Sequence, residues 1–276
     1  GIVLNIILDP LLIFGIGPFP KLELAGAAYA TLASRILIFI LVIWTIHFKK
    51  DMLSFDRARF KDILDSWKRV LFIAIPPGAT SIILPSTMGV LTGMIAVYGT
   101  ESVAAYGVTT RIDSFLLRFI GALSMVLGPF IGQNLGAKKY DRVKRGIRYS
   151  KIYAIFWGGC TLLLLIFFGK PIASVFSDNP DVISKITTYF YIVPIGYGFL
   201  GVLRLSINAL GVLNKPIQAT FLVIGQSIIC LVLANMGSVL FGLKGIFYAI
   251  PISYIVAGIA AHFWLNRFLP FDRIQA

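Results

Sequence analysis

The sequence predicts an all-α polytopic membrane protein. Of its 276 residues, 58% are hydrophobic and only 13% are charged, whereas about 25% are charged in a typical soluble domain. The mean hydropathy is correspondingly high, at +0.87. The apolar residues fall in runs of about twenty, the length at which a helix crosses a bilayer, and the alternating ten-residue segments of an outer-membrane barrel are absent.

Gly, Pro and charged residues divide the apolar runs into successive elements. Residues 1–16 have the pattern of part of one helix. Seven complete spans are then predicted, near residues 25–48, 70–98, 103–132, 147–169, 186–212, 217–241 and 245–266. The chain opens with Gly1 inside an apolar run, without a Met and a polar leader, so we expect a fragment whose front is missing.

One charged connection, residues 51–69, has the pattern of an amphipathic helix. Its large apolar side chains fall roughly on one helical face: Leu53, Phe60, Ile63, Leu64 and Trp67. A helix of this kind lies along the membrane interface. We interpret it as a linker between two helical bundles, and calmodulin-type or partner binding is the less favoured alternative.

Lys and Arg are distributed unevenly between the two sets of connections. Of the 25 basic residues, 17 lie in 47–69, 134–151, 213–216 and 266–276, and only four lie in the connections on the opposite side. The positive-inside rule places the first set in the cytoplasm, together with the C-terminus. This topology largely explains the net charge of +13, so no nucleic-acid partner is expected.

The sequence gives no sign of catalytic or cofactor chemistry. Cys160 and Cys230 both lie inside apolar runs, which is typical of small buried hydrophobes and not of a disulfide or a metal site. The two histidines, His47 and His262, have no acidic partner at a metal-ligand or acyltransferase spacing. We therefore predict a protein that is not an enzyme and that has no cofactor.

Two hairpins of the chain resemble each other. Phe14-Gly15 followed by Gly26 and Tyr29-Ala30 parallels Phe241-Gly242 followed by Gly245 and Tyr248-Ala249. Because both hairpins run in the same direction, they indicate a parallel repeat of two halves. The predicted domains are thus 1–48 as the end of an N-terminal lobe, 49–69 as the cytoplasmic linker, 70–268 as a six-helix lobe and 269–276 as a cytoplasmic tail.

Three motifs carry a family resemblance. They are the stretch from Asn5 through Asp9-Pro10 to Gly15, the stretch Gly26 to Thr31, and Gly132-Gln-Asn-Leu-Gly-Ala-Lys138. They resemble the multidrug and toxic compound extrusion (MATE) family, from its fifth span to its twelfth. The resemblance implies a MATE-type twelve-helix, two-lobe transporter, here lacking its first four and a half helices.

The same resemblance implies a function and a location. A member of this family exports organic, often cationic, compounds or drugs from the bacterial cell in antiport with H⁺ or Na⁺. We expect a monomeric multi-pass protein of the inner membrane. Its expected partners are the lipid bilayer and small organic substrates. The alternative from the same architecture is a flippase for a lipid-linked saccharide.

Polar residues inside the membrane are the candidate functional groups, because they are costly there unless paired or hydrated. Asp9 lies about eight residues before the outer end of its helix and Thr31 about seven into the returning one, so both have the same depth. Asn5 lies one turn below Asp9 on the same face, and Pro10 removes a backbone donor. A carboxylate, an amide and a hydroxyl suit a proton or a hard monovalent cation such as Na⁺.

The resemblance implies that Asn5, Asp9 and Thr31 belong to a first-lobe cation-coupling site. The alternative is that Asn5 and Asp9-Pro10 only cap and kink the helix end. In the second half, the positions aligned with the three residues are Val232, Met236 and Ile250, none of which is acidic. We therefore expect the coupling chemistry to be confined to the first lobe.

Four further charges lie within the predicted spans of the second lobe: Arg111, Asp113, Arg118 and Arg204. Arg111 and Arg118 share a helical face, whereas Asp113 points away from Arg111 and must find its partner elsewhere. We predict that these residues line the substrate cavity or tie helices together. Because these residues comprise three cations and only one acid, an anionic or zwitterionic substrate is also possible.

Overall fold

Helices form all the regular secondary structure of residues 2–50 and 59–269, which are the residues described by the computed structural model, except for the Ile73 side chain. The chain divides into two compact units, residues 1–65 and 66–276. Among the described residues, seven helical segments are long and apolar enough to cross a membrane. The all-α polytopic class is therefore confirmed.

The first unit contains a helical hairpin of α1 (Ile2–Phe14) and α2 (Glu23–Trp44), and α2 continues into a π-helical turn, Thr45–Lys49. Gly15 ends α1 with a φ of +71°, a conformation that L side chains rarely adopt. At Gly26, a Cβ atom would clash with the carbonyl of Leu12. The missing side chain therefore lets the two helices pack backbone to backbone.

The remaining helices form the second unit, which begins at Ser66 within the first of them. In chain order they are α3 (Phe60–Ala96), α4 (Thr100–Leu116), α5 (Arg118–Gly136), α6 (Tyr140–Phe176), α7 (Pro180–Ile192), α8 (Tyr197–Val212), α9 (Pro216–Phe241) and α10 (Leu243–Arg267). The segment Pro180–Val212 is the most buried of the membrane-length helices and packs against α6 and α10. It forms the centre of this unit.

Two predicted spans are interrupted in the structure. The span expected at 103–132 breaks at Leu117, which separates α4 from α5. The span expected at 186–212 contains a 3₁₀ turn, Val193–Gly196, because Pro194 has no backbone N–H to continue an α-helical ladder. A Cβ atom on Gly196 would lie 2.8 Å from the Cα of Pro251, so this turn packs directly on the proline of α10.

The predicted linker at 49–69 falls only partly on described residues. Residues 51–58 lie outside them, and from Phe60 the chain is already helical and continues without a break into the membrane-length part of α3. The tail beyond Leu269 also lies outside the described residues. The four-part domain division stays a prediction.

The α9–α10 hairpin repeats the local geometry of the α1–α2 hairpin. Gly242 joins its helices with a φ of +62°, as Gly15 does in the first hairpin. A Cβ atom on Gly245 would clash with the carbonyl of Gly237, as one on Gly26 would clash with Leu12. Both hairpins therefore use one glycine for the turn and another for close helix packing.

Candidate functional site

The three predicted coupling residues lie together in the first unit. The Asn5 amide donates from Nδ2 to Asp9 Oδ1 at 3.3 Å and to Thr31 Oγ1 at 3.5 Å. Asn5 and Asp9 are partly buried in α1, and Thr31 approaches from α2. The hairpin thus gathers a carboxylate, an amide and a hydroxyl from two antiparallel helices.

The local sequence explains why these groups meet. Gly26 brings the α2 backbone against Leu12, and the small residues Ala30 and Ser34 continue the buried face of α2. Thr31, next to Ala30, is thereby held within reach of α1. Asp9 lies five residues before the end of α1 and accepts a hydrogen bond from a side chain, so its contact is not that of a terminal cap.

The chemistry of this cluster fits a small cation. Pro10 lies inside α1 and has no N–H to donate to the carbonyl of Ile6, which adds a backbone oxygen one turn away. The Asp9 carboxylate and the Thr31 hydroxyl are further oxygen ligands, and the Asn5 amide, which faces them through Nδ2 here, would add its oxygen after rotation. Oxygen ligands of this kind suit a hard cation. The assignment of a coupling role to these residues stays a prediction.

The second unit contains a second cluster, centred on Asp113 of α4. The Tyr189 hydroxyl donates to Asp113 Oδ2 at 2.6 Å, and the Tyr197 hydroxyl donates to Oδ1. Both tyrosines are buried, with exposed fractions of 3% and 1%. The two residues lie on either side of the 3₁₀ turn Val193–Gly196, so one carboxylate joins α4 to both sides of that break.

Aromatic rings enclose this cluster. The Tyr189 ring packs edge-on against Phe247 of α10, with ring centroids 5.2 Å apart, and against Tyr106 of α4 at 6.1 Å. Such edge-to-face contacts fix the orientation of the ring and therefore the direction of its hydroxyl. The carboxylate of Asp113 is thereby held by rigid donors.

The other predicted cavity residues are placed differently. Arg204 lies close enough to Asp113 for an electrostatic interaction, but no ion pair within 4.0 Å forms between them. Arg111 and Arg118 have exposed side chains, and neither forms a hydrogen bond or an ion pair with any described residue. The structure therefore shows no direct contact between Asp113 and the exposed Arg204, and it leaves Arg111 and Arg118 open to other partners.

Sequence reasoning missed Tyr189 and Tyr197. It predicted that Asp113 needs a partner away from Arg111, but it could not say which, because the partners lie 76 and 84 residues along the chain. The available signal was the occurrence of Tyr189 and Tyr197 on either side of Pro194 in a predicted span.

The family model MatE matches residues 76–236, which is more than half of the chain. The chain belongs to the MatE family. It is thus a multi-pass membrane protein of a transporter family and not an enzyme, in agreement with the resemblance of its motifs.

Individual MatE relatives support this assignment. The chain is 36% identical to the FAD transporter of Shewanella oneidensis, over 96% of this chain and 59% of that protein. It is 28% identical to the multidrug export protein MepA of Staphylococcus haemolyticus, over 94% of this chain and 56% of that protein. It therefore spans somewhat under two thirds of the length of these relatives.

A solved MatE structure has the same fold. The MATE transporter VcmN of Vibrio cholerae, in its bent form, superposes with a TM-score of 0.86 at 26% sequence identity. The match covers 99% of this chain and 61% of that transporter. The predicted MATE-type fold is confirmed for the part of the family fold that this chain covers.

Proposed function

We propose that this chain belongs to a secondary active exporter that exchanges H⁺ or Na⁺ for an organic solute, with Asn5, Asp9 and Thr31 as its coupling site. The observation that carries the proposal is the convergence of these side chains on Asn5 Nδ2 across the α1–α2 hairpin. The protein acts in the bacterial inner membrane, with the Lys/Arg-rich connections and the C-terminus in the cytoplasm.

The Asn5 amide supplies a mechanism for the exchange. Without a bound ion, its Nδ2 donates to Asp9 and to Thr31, which stabilises the charged carboxylate. When a cation enters, rotation of the amide presents its oxygen as a ligand. A proton on Asp9 replaces the ion in the same position. Binding of either ion changes the contacts between α1 and α2. A ligand can shift the equilibrium between two conformations only if it interacts differently with each of them, and these contacts supply such a difference.

We further propose an anionic organic substrate. Arg111 and Arg118 have no carboxylate partner among the described residues, and the one acid near Arg204 already accepts hydrogen bonds from two tyrosines. The excess positive charge favours a solute that carries phosphate or carboxylate groups. The similarity to a protein named as an FAD transporter supports the same class. Organic cations, expected from the multidrug relatives, are the second candidate.

The test is transport by the full-length protein in proteoliposomes under separately imposed Na⁺ and H⁺ gradients. We expect gradient-driven uptake of FAD, its loss in Asp9→Asn, and normal uptake in Glu23→Gln, whose acid is exposed in the same hairpin. Uptake by Asp9→Asn at the normal rate would remove Asp9 from coupling. Movement of a lipid-linked saccharide, without uptake of FAD or of a cationic dye, would establish the flippase alternative.

A further inference from the structure

A cavity of about 380 Å³ lies between α6, α8 and α10, and none of its lining residues belongs to the clusters described above. Its walls are almost entirely apolar and include Ile152, Ile155, Phe199, Val202, Ile259 and Phe263. Its polar lining comes from Lys151 of α6 and His262 of α10. The cavity therefore combines a long apolar surface with one basic end.

Lys151 is an unusual lysine because its exposed fraction is only 7%. Its Nζ lies 3.3 Å from His262 Nδ1, so the ammonium donates to a neutral imidazole. In the described part of the chain, no carboxylate lies within 4.0 Å of this ammonium. A buried cation without an acid is costly, and an anionic ligand removes that cost.

The position of Lys151 along α6 sets its depth in the membrane. It immediately precedes the uncharged stretch 152–169, and Lys170 immediately follows that stretch. Eighteen helical residues extend about 27 Å, close to the hydrocarbon thickness of about 30 Å. Lys151 therefore lies at the level of the lipid headgroups, on the side of the bundle that has the basic residues of 134–151.

The apolar walls lead from that level toward the bilayer centre. Ile155 lies one turn further into α6, and Ile259 lies one turn further in from Phe263 on α10. Phe199 of α8 adds an aromatic ring to the same lining. A hydrocarbon chain fits such a trough, whereas a small soluble anion would contact only its basic end.

We propose that this cavity binds an anionic phospholipid, with its phosphate on Lys151 and one acyl chain between α6, α8 and α10. The charge of Lys151, its depth and the apolar trough all fit one molecule with an anionic head and a hydrocarbon tail. Basic pockets between membrane helices bind anionic headgroups through the same combination. This lipid site is independent of the proposed coupling site and of the transported solute.

The experiment is native mass spectrometry of the full-length protein with dioleoylphosphatidylglycerol and, in parallel, dioleoylphosphatidylcholine. We expect preferential retention of phosphatidylglycerol and a roughly fivefold loss of that preference in Lys151→Gln. Lys170→Gln, at the opposite end of the same apolar stretch, should retain it fully. Lys151→Arg should restore binding, because a guanidinium also binds phosphate.

A second pair of variants tests the apolar trough. Ile259→Trp fills the trough and should reduce retention. Val256→Trp on the same helix should not, because Val256 is not among the lining residues. It is a matched control, since the two positions have similar exposed fractions, 43% and 44%. Soluble glycerol phosphate should not displace the bound lipid. Equal retention of both lipids by the wild type, unchanged retention in folded Lys151→Gln or displacement by glycerol phosphate would overturn the proposal.

Discussion

The hydroxyl of Tyr189 donates to Asp113 Oδ2 across 2.6 Å and thereby joins α7 to α4. Tyr197, after the 3₁₀ turn, donates to the other carboxylate oxygen. A carboxylate held in this way stabilises the bundle only while its donors are present, since removal of one leaves an acceptor without a partner.

Replacement of Tyr189 by Phe should therefore destabilise the protein. Hydrogen bonds to charged groups contribute about 1.5–3 kcal/mol in general, whereas those between membrane helices contribute about 0.6–1.7 kcal/mol, so we expect a loss of about 1–2 kcal/mol. We expect a lower thermal midpoint for the purified full-length protein. Tyr191→Phe is the matched control, because this tyrosine is exposed on the same helix. Equal midpoints for both variants would show that the Asp113 contact contributes nothing.

Thr31→Ala should weaken ion coupling without removing it. The hydroxyl is one of several oxygen ligands in the proposed site, so we expect the half-saturating ion concentration for transport to rise about tenfold, with little change in the maximal rate. Thr45→Ala is the control, because the Thr45 hydroxyl donates only to the Leu41 carbonyl further along α2. A reduced maximal rate at an unchanged ion dependence would contradict a ligand role.

Arg118→Gln should distinguish between classes of substrate. If the exported solute is an anion, loss of this charge should raise the half-saturating concentration of FAD about tenfold, because hydrogen bonds to charged groups contribute about 1.5–3 kcal/mol. Transport of a cationic dye should be unaffected. Arg142→Gln, in the basic connection, serves as the control. A stronger effect on the dye than on FAD would favour the cationic class.

Gly245→Ala should separate α9 from α10. The added methyl group would clash with the Gly237 carbonyl, and helices that pack backbone to backbone have no flexible side chain that could yield. We expect lower folded yield and a lower thermal midpoint. Gly225→Ala on α9 adds its methyl group to open space and should be neutral or slightly stabilising. Similar behaviour of the two variants would argue against close packing at Gly245.

The proposed orientation can be measured with single cysteines. In a Cys160→Ala, Cys230→Ala background, Asp178→Cys should react with a membrane-impermeant maleimide in intact cells. Lys139→Cys should react only after the membrane is permeabilised, since the positive-inside rule places its connection in the cytoplasm. The reverse pattern would invert the topology.

Hydropathy predicted the membrane-length helices well, because a bilayer requires about twenty apolar residues in sequence. Counting residues from the outer ends of the two helices also predicted that Asp9 and Thr31 lie close together. A short hairpin loop allows little sliding of one helix along the other. The contacts of Asp113 depend on side chains far along the chain and could not be assigned in this way. Lys151 was counted with the basic connection at 134–151, yet it is buried between helices, which only tertiary packing reveals.

The contact between Gly196 and Pro251 joins the 3₁₀ turn before α8 to the middle of α10. A Cβ atom on Gly196 would lie 2.8 Å from the Pro251 Cα, so the turn rests directly on the backbone of α10. The turn therefore has no room to change its shape at Gly196 unless α10 moves with it. If the chain undergoes the transport cycle proposed above, we expect this turn and the middle of α10 to move together.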